Sequence, residues 1–418
     1  MNGGTVYVIG AGVAGLSASV ALVAKGRPVE LIESSGQAGG RCRSYFDATL
    51  GQTIDNGNHF VLSGNHATMA YLQSIGADNA LVGPVHARTS FLDLHTGKRW
   101  TIAPNDGPIP FWLFDKAKRV PDTQPGDYLQ LAKLLMASAD RTIGDVLPCK
   151  GPLWERLLHP FFLGALNTKP EAGSAALAAS LVRETFAKGG KAYRTRIAHP
   201  TLAAAFVDPA LALLAKAGAG VHFGERLKKV LFDDTRAVSL ETTDRIIALD
   251  PADVVVLATP PWVTGELLPG ITVPDEFCAI VNAHFRIAPP PGAPGMLGLL
   301  GGTAEWVFSF PDRISVTVSG ADEIVDLPRE DLAAILWRDV AKAHGLASQL
   351  PPWQVVKEKR ATFAATPAQV LKRPKAGTRW RNLFLAGDWT DTGVPATIEG
   401  TIRSGNKAAG LALAASSV

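Results

Sequence analysis

The chain has 418 residues, more than the roughly 100–200 of one ordinary domain, so two domains or one large discontinuous one are expected. Hydrophobic residues make up 47% and charged residues 19%, which excludes a disordered chain, and 41 Lys+Arg against 38 Asp+Glu leave a net charge of +3, too even for a nucleic-acid binder. Cys42, Cys149 and Cys278 form no close pair, so neither a disulfide framework nor a zinc site is expected, and the reducing cytoplasm is the expected compartment.

A β-rich run at 5–9 begins the chain, with no basic region and apolar stretch ahead of it, so a secretory leader is not expected. Gly10-Ala11-Gly12-Val13-Ala14-Gly15 follows at once, then an Ala-rich helix over 16–25 stopped by Gly26, and a second strand over 28–33 that ends in Glu33. A glycine triplet alone is a weak signal. Here it opens a helix after a strand, and an acid closes the next strand, which is the context of a Rossmann-type dinucleotide fold. Gly10 permits the tight turn, Gly12 lets backbone approach a pyrophosphate, and Gly15 lets the helix pack on the sheet. The phosphates would lie on the first helical N–H groups, around Val13 and Ala14, where the helix dipole favours negative charge. Glu33, with Ser34 beside it, would accept hydrogen bonds from the adenosine ribose hydroxyls and repel a 2′-phosphate, which disfavours NADP.

Residues 211–216 lie in an apolar helix ended by Gly218, and 221–223 and 227–232 read as strands. A strand over 253–257, apolar after Asp253, runs to Ala258, and another over 383–386 runs to Gly387 and Asp388. These pieces are expected to complete the nucleotide-binding sheet, giving an α/β domain from 1–75, 201–265 and 375–418. The segments 76–200 and 266–374 would form a discontinuous α+β domain that binds the substrate, with a Pro-rich loop at 289–295 between strands. No window approaches about 18 uninterrupted apolar residues, so no membrane span is expected.

Beyond Glu33 lies Gly39-Gly40-Arg41-Cys42-Arg43-Ser44; with Gly387-Asp388 near the other end, the chain resembles the flavin amine oxidase and carotenoid desaturase superfamily. The resemblance implies a glutathione-reductase-like FAD-binding domain and non-covalent FAD. It places Gly40 and Arg41 beside the diphosphate and ribityl chain, with Arg43 either adding to them or standing as a surface charge. Asp388 would bind a ribityl hydroxyl or the nearby sugar, and Asn56, Gly57, Leu227 and Ala258 complete the implied cofactor contacts. The tail Ala396-Thr397-Ile398 would start a helix whose first N–H groups face the flavin N1/O2 edge and stabilise reduced flavin.

The segments Asp55-Asn56-Gly57-Asn58-His59, Ala165-Leu166-Asn167-Thr168, Pro170-Glu171, Ser174-Ala175, Glu305-Trp306-Val307-Phe308 and 386–393 are similar to the hydroxysqualene dehydroxylase family, with Asn58 in place of glutamine and Lys169 in place of proline. That resemblance implies reductive removal of the hydroxyl of hydroxysqualene to give squalene in bacterial hopanoid biosynthesis, with the flavin reduced by an external donor. A C30 substrate requires a long apolar tunnel; Phe161, Phe162, Leu163, Leu166, Trp306 and Phe308 serve as its lining or as plain core. His59 is the expected acid, or the group that orients a water, against the alternative of a structural histidine bonded to backbone. Asn167 would orient the substrate hydroxyl or cap a turn. Trp389 would stack by the flavin or fill space.

Three other readings compete. An amine oxidase is disfavoured because no lysine occurs between Lys229 and Lys342, and no cysteine after Cys278 offers a covalent flavin link. A carotenoid desaturase shares the polyene substrate class, and the stretch 165–174 discriminates against it. An FAD-binding scaffold without catalysis conflicts with the intact glycines, Glu33 and Asp388. Finally, Phe111, Trp112 and Phe114, followed by Lys116, Lys118 and Arg119 and by the apolar stretch 129–137, read as a peripheral anchor at the inner face of the plasma membrane or as core of the second domain.

Overall fold

The computed structural model describes residues 3–415; residues 1–2 and 416–418, at the outer ends of the expected first domain, lie outside it. The nucleotide-type sheet has five strands in the order Gly220–Phe223, Val29–Glu33, Val6–Ile9, Val254–Leu257 and Leu383–Leu385, and all four pairings are parallel. Val254, Val255, Val256 and Leu257 are all buried, as a strand covered on both faces must be, which is why this stretch is continuously apolar rather than alternating. Helix Val13–Val23 covers one face and packs on helix Ile398–Ala415. That packing needs Gly405: a β-carbon there would fall 2.1 Å from Ser17 Oγ and 2.4 Å from the Ala14 carbonyl.

One expected strand of this sheet lies elsewhere. Leu227–Phe232 pairs antiparallel with Ala237–Thr242, which pairs with Ile246–Ala248, in a separate three-stranded sheet. Gly224, at φ +77°, turns the chain out of the parallel sheet directly after Phe223. A non-glycine residue resists that left-handed conformation.

The second sheet has seven strands in the order Trp353–Phe363, Phe277–Phe285, Ile314–Val318, Trp306–Ser309, Met296–Leu300, Thr89–Asp93 and Arg99–Ile102. Its pairings are antiparallel except that between Met296–Leu300 and Thr89–Asp93. Alternation sorts the side chains. Val281, Ala283, Phe285, Ile314 and Val316 pack with Leu332, Leu336 and Val340 of helix Arg329–His344. Asn282, His284, Ser315, Thr317, Trp306 and Phe308 occupy the opposite face, as the period of two requires. The chain that leaves the hairpin Ser44–Asp47/Gln52–Asp55 runs onto that second face through Asn56, Gly57 and Asn58.

Candidate active site

The glycines of the first turn have sharply different surroundings. Gly10 has φ +106°, and a β-carbon on it would lie 2.6 Å from the Ala258 carbonyl oxygen; on Gly15 it would lie 1.9 Å from the Gly10 carbonyl oxygen. These two are glycine because the chain itself leaves no room. At Gly12 a β-carbon would meet nothing within 4 Å. The protein does not require glycine there for its own packing, and the vacant volume lies at the N-terminus of helix Val13–Val23, where Gly12 offers no side-chain cap and no acid stands in the first turn. Such a cradle suits a diphosphate. The second glycine turn is tied to it, since Gly39 donates its N–H to the Ala11 carbonyl at 2.8 Å, and the nearest atom to a β-carbon on Gly40 would be Gly12 Cα at 3.4 Å.

Glu33 ends its strand beside this cradle, with Oε2 accepting the Ala11 N–H at 2.7 Å and Oε1 the Ser35 N–H at 2.8 Å; Ser34 hangs exposed next to it. The carboxylate is thereby fixed in place while its remaining lone pairs stay available to a ribose. Ala258 follows the strand Val254–Leu257 and donates to the Ile9 carbonyl, so its backbone borders the Gly10 turn. Leu227 is buried at the root of the three-stranded sheet.

Residues 347 apart in sequence meet at the next station: Arg41 donates to Asp388 Oδ1 at 2.7 Å and to the Ala361 carbonyl at 2.6 Å. Asp388 is buried, and Gly387 is held by its N–H to Ser404 Oγ of the C-terminal helix. Arg43 turns back to the Gly40 carbonyl at 2.9 Å, an exposed bond. Thr397 Oγ accepts the Gly400 N–H at 3.1 Å and caps helix Ile398–Ala415, so Ala396, Thr397 and Ile398 stand at its N-terminus as expected from the tail sequence. Trp389 is a space-filler and a tie: it is buried and donates Nε1–H to the Thr259 carbonyl.

His59 is half-buried and bonds the Arg41 backbone carbonyl. Burial, reinforced by the Arg41 charge, pushes its pKa down to about 4, so the imidazole is neutral at physiological pH. A lowered pKa disfavours the acid and suits the other expectations, a neutral ring that orients a water or a structural histidine bonded to backbone. Asn167 is corrected more fully. It closes helix His159–Leu166 at φ +49° and is buried, with Nδ2 donating to the Cys278 carbonyl and Thr362 Oγ and Oδ1 accepting the Gly320 N–H. With both amide donors committed, it has none to offer a substrate hydroxyl, and it serves as a joint between that helix and the second sheet.

Of the expected tunnel residues, Phe162, Leu166, Trp306 and Phe308 are buried in the core and only Phe161 and Leu163 are partly open. Trp306 packs against Phe60, one residue past His59, with ring centroids 6.2 Å apart. Sequence reasoning missed Asn282 and Thr317, which bond Asn58; Thr317 is the cross-strand partner of Trp306. Their signal was available in the Phe277–Phe285 strand, where Asn282 interrupts an apolar run.

The family profile for flavin containing amine oxidoreductase matches residues 13–413. Hydroxysqualene dehydroxylase of Rhodopseudomonas palustris is 53% identical over 98% of this chain and 99% of its own length, and that of Sinorhizobium fredii 50% identical over 98% of each. The chain belongs to the flavin-containing amine oxidoreductase family, within its hydroxysqualene dehydroxylase branch. Among solved structures, cyclohexylamine oxidase of Brevibacterium oxydans superposes with a TM-score of 0.70 at 16% identity over 99% of each chain, a likeness of fold. As a flavin-containing amine oxidoreductase the protein is an FAD-dependent oxidoreductase. The open cradle at Gly12 and the helix behind it fit that cofactor.

Proposed function

We propose that this protein reductively removes the hydroxyl of hydroxysqualene, yielding squalene and water, and takes its electrons from an external reductant. The reading is carried by the 53% identity, over nearly the full length, to a protein named for that reaction. Bound reduced FAD supplies the hydride that replaces the hydroxyl. The chain's residues hold and orient: the Gly10–Gly15 turn with the N–H groups of Val13 and Ala14 takes the pyrophosphate, Glu33 and Ser34 the ribose, and Arg41 with Asp388 the ribityl side. Gly40, Arg43, Asn56, Gly57, Leu227, Ala258, Gly387 and the 396–398 helix start border the same cofactor. His59, held neutral, orients the water through which the leaving oxygen gains its proton. The segments 1–75, 201–265 and 375–418 act as the cofactor domain, and 76–200 with 266–374 as the substrate domain. The test is anaerobic incubation of reduced protein with hydroxysqualene and extraction of the lipid. Stoichiometric squalene and oxidised flavin are expected; oxidised flavin without squalene would sink the reading.

A C30 lipid reaches such a site from a bilayer, and one surface supports a peripheral contact. Ile109, Phe111, Phe114, Leu129, Leu135 and Met136 are exposed, six of the thirteen large hydrophobics exposed among the described residues, all within one stretch of the chain. The helical turn Phe111–Phe114 and the segment Pro125–Gln130 are joined by the Trp112–Tyr128 ring contact at 5.6 Å, so these side chains share a surface, edged by exposed Lys116, Lys118 and Lys133. Apolar side chains with a basic rim suit an anionic leaflet on the cytoplasmic side. Trp112 and Arg119 are excluded from that surface: both are buried, and Arg119 bonds the carbonyls of Leu113 and Thr123. No helix among the described residues is long and apolar enough to cross a membrane.

A further inference from the structure

The polar groups between Gly57 and the second sheet form one cluster with an unused end. Asn282 Oδ1 accepts the Asn58 backbone N–H at 3.3 Å and the Thr317 hydroxyl at 2.7 Å. Asn58 Nδ2 in turn donates to Thr317 Oγ at 3.2 Å and to the Val316 carbonyl at 3.3 Å. These bonds determine which end of the Asn282 amide is oxygen, because a backbone N–H can only donate. Asn282 Nδ2 is therefore turned the other way, toward Gly57, where it lies 2.8 Å from the position a β-carbon on that glycine would take. Asn282 is 2% exposed, yet its two N–H groups find no acceptor among the described residues. Unlike Asn56 Oδ1 and Asn58 Oδ1, which are sealed within the protein, this nitrogen is not closed off from solvent. A donor fixed at the end of a buried side chain and still open to solvent is available to a ligand that displaces its water.

We propose that Asn282 Nδ2 donates to the hydroxyl oxygen of the substrate, holding the C–O bond beside Gly57 and steadying the oxygen as that bond breaks. This rests on the dehydroxylation reading above. In that reaction the C–O bond breaks with its electron pair passing to oxygen, which takes one proton and departs as water. A hydride from reduced FAD forms the new C–H bond, and the flavin is left oxidised. A donor aimed at the oxygen strengthens as negative charge gathers there, so it favours the transition state over the ground state. It also selects an alcohol over a hydrocarbon, because squalene gives the two N–H groups no acceptor.

The test is Asn282→Asp. The carboxylate keeps the shape of the side chain and an oxygen for Thr317 and the Asn58 N–H, but replaces the donor by an acceptor. Flavin content should match the wild type, while the melting temperature should fall at neutral pH, where the variant holds a buried carboxylate, and recover on acidification. The dissociation constant of hydroxysqualene for the oxidised enzyme, read in detergent from the flavin absorbance, should rise about tenfold or more, while that of squalene stays unchanged. Turnover should fall by about 10²-fold and recover on acidification, as the protonated carboxyl regains a donor, whereas the wild type shows no such gain. Wild-type alcohol binding and turnover in this variant would overturn the proposal, as would a changed flavin potential with unchanged alcohol binding, which would assign the amide to the cofactor. Should Asn282→Asp lose its flavin, Thr317→Val, which frees the amide to rotate, must show the same alcohol-selective loss or the proposal fails. Absence of squalene from the wild type sinks the dehydroxylation reading itself; a wild type that makes squalene alongside an Asn282→Asp that does so equally well sinks only this inference.

Discussion

Gly12 and Gly15 stand in one turn yet answer to different partners, and substitutions separate them. Gly12→Val adds atoms to a volume that holds no protein atom, so the chain should fold with its normal circular dichroism and melting curve but purify without flavin absorbance. Gly15→Ala drives a β-carbon to within 1.9 Å of a backbone carbonyl, so it should lower the melting temperature as well. Equal flavin content in Gly12→Val and wild type would remove the phosphate from that turn. Titrating groups give a second residue-scale prediction. Burial pushes His59 down to about 4 and His284 to about 3 from an ordinary 6.5, with Arg41 and Arg313 respectively adding to the effect. The unfolded chain binds these protons more readily, so their contribution to stability is complete above pH 6.5 and is lost as pH falls toward 4. Glu305 runs the other way: burial raises it from 4.5 to about 7, so its contribution is complete below pH 4.5 and lost as pH rises through 7. Glu305→Gln should therefore raise the melting temperature more at pH 8 than at pH 5. An equal shift at both values would contradict a buried, late-titrating carboxyl.

At the scale of elements, the C-terminal helix Ile398–Ala415 organises more than its own turn. Its buried Glu399 accepts the N–H groups of Ala67 and Thr68 and the Thr68 hydroxyl, capping helix His66–Ser74 from another part of the chain, and pairs with Arg403 at 2.8 Å. Glu399→Ala leaves those donors without their acceptor and Arg403 with only its bond to Glu184, a loss of about 3 kcal/mol. Thermal or denaturant unfolding should show it, and a loss below about 0.5 kcal/mol would class the contact with ordinary surface pairs. Gly405 sets the distance between the two helices whose N-termini form the proposed cofactor site. Gly405→Leu should push them apart and lower flavin affinity and melting temperature together, whereas loss of only one would show that helix spacing and cofactor geometry are independent.

For the whole molecule, the apolar surface around Phe111, Phe114 and Met136 separates a membrane contact from a packing role. The triple substitution Phe111→Ser/Phe114→Ser/Met136→Ser exchanges exposed side chains, so it should leave the melting temperature unchanged while abolishing flotation with anionic vesicles. Wild-type flotation should weaken with salt, since a few lysines at about 1 kcal/mol each give reversible attachment. Unaltered flotation by the triple variant would place the contact elsewhere. Trp112→Ala, by contrast, empties a buried site, and a loss of about 3–5 kcal/mol is expected from the cavity alone.

The nucleotide-binding half was legible because its information is contiguous: a strand, a turn with three spaced glycines, a helix and an acid-terminated strand lie within residues 5–33 and obey local steric rules. The flavin family was legible for a related reason, since Gly39-Gly40-Arg41 and Gly387-Asp388 are short motifs whose chemistry survives without knowing their neighbours. What the sequence could not determine was what each side chain faces. Residues 227–232 have strand character in any sheet, and only the turn at Gly224 and the pairing with Ala237–Thr242 decided which sheet. Phe111, Trp112 and Phe114 are equally apolar, and only the fold buried the middle one against Tyr128. Asn167 became a joint because strands from 277–285 and 353–363 bring Cys278 and Thr362 to its amide, and Asn282 acquired an idle donor because Asn58 and Thr317 arrive on one end of it. Hydrogen bonds between residues more than a hundred positions apart, such as Arg41–Asp388, Asn58–Asn282 and Asn167–Thr362, depend on sheet order and register, which no local propensity encodes.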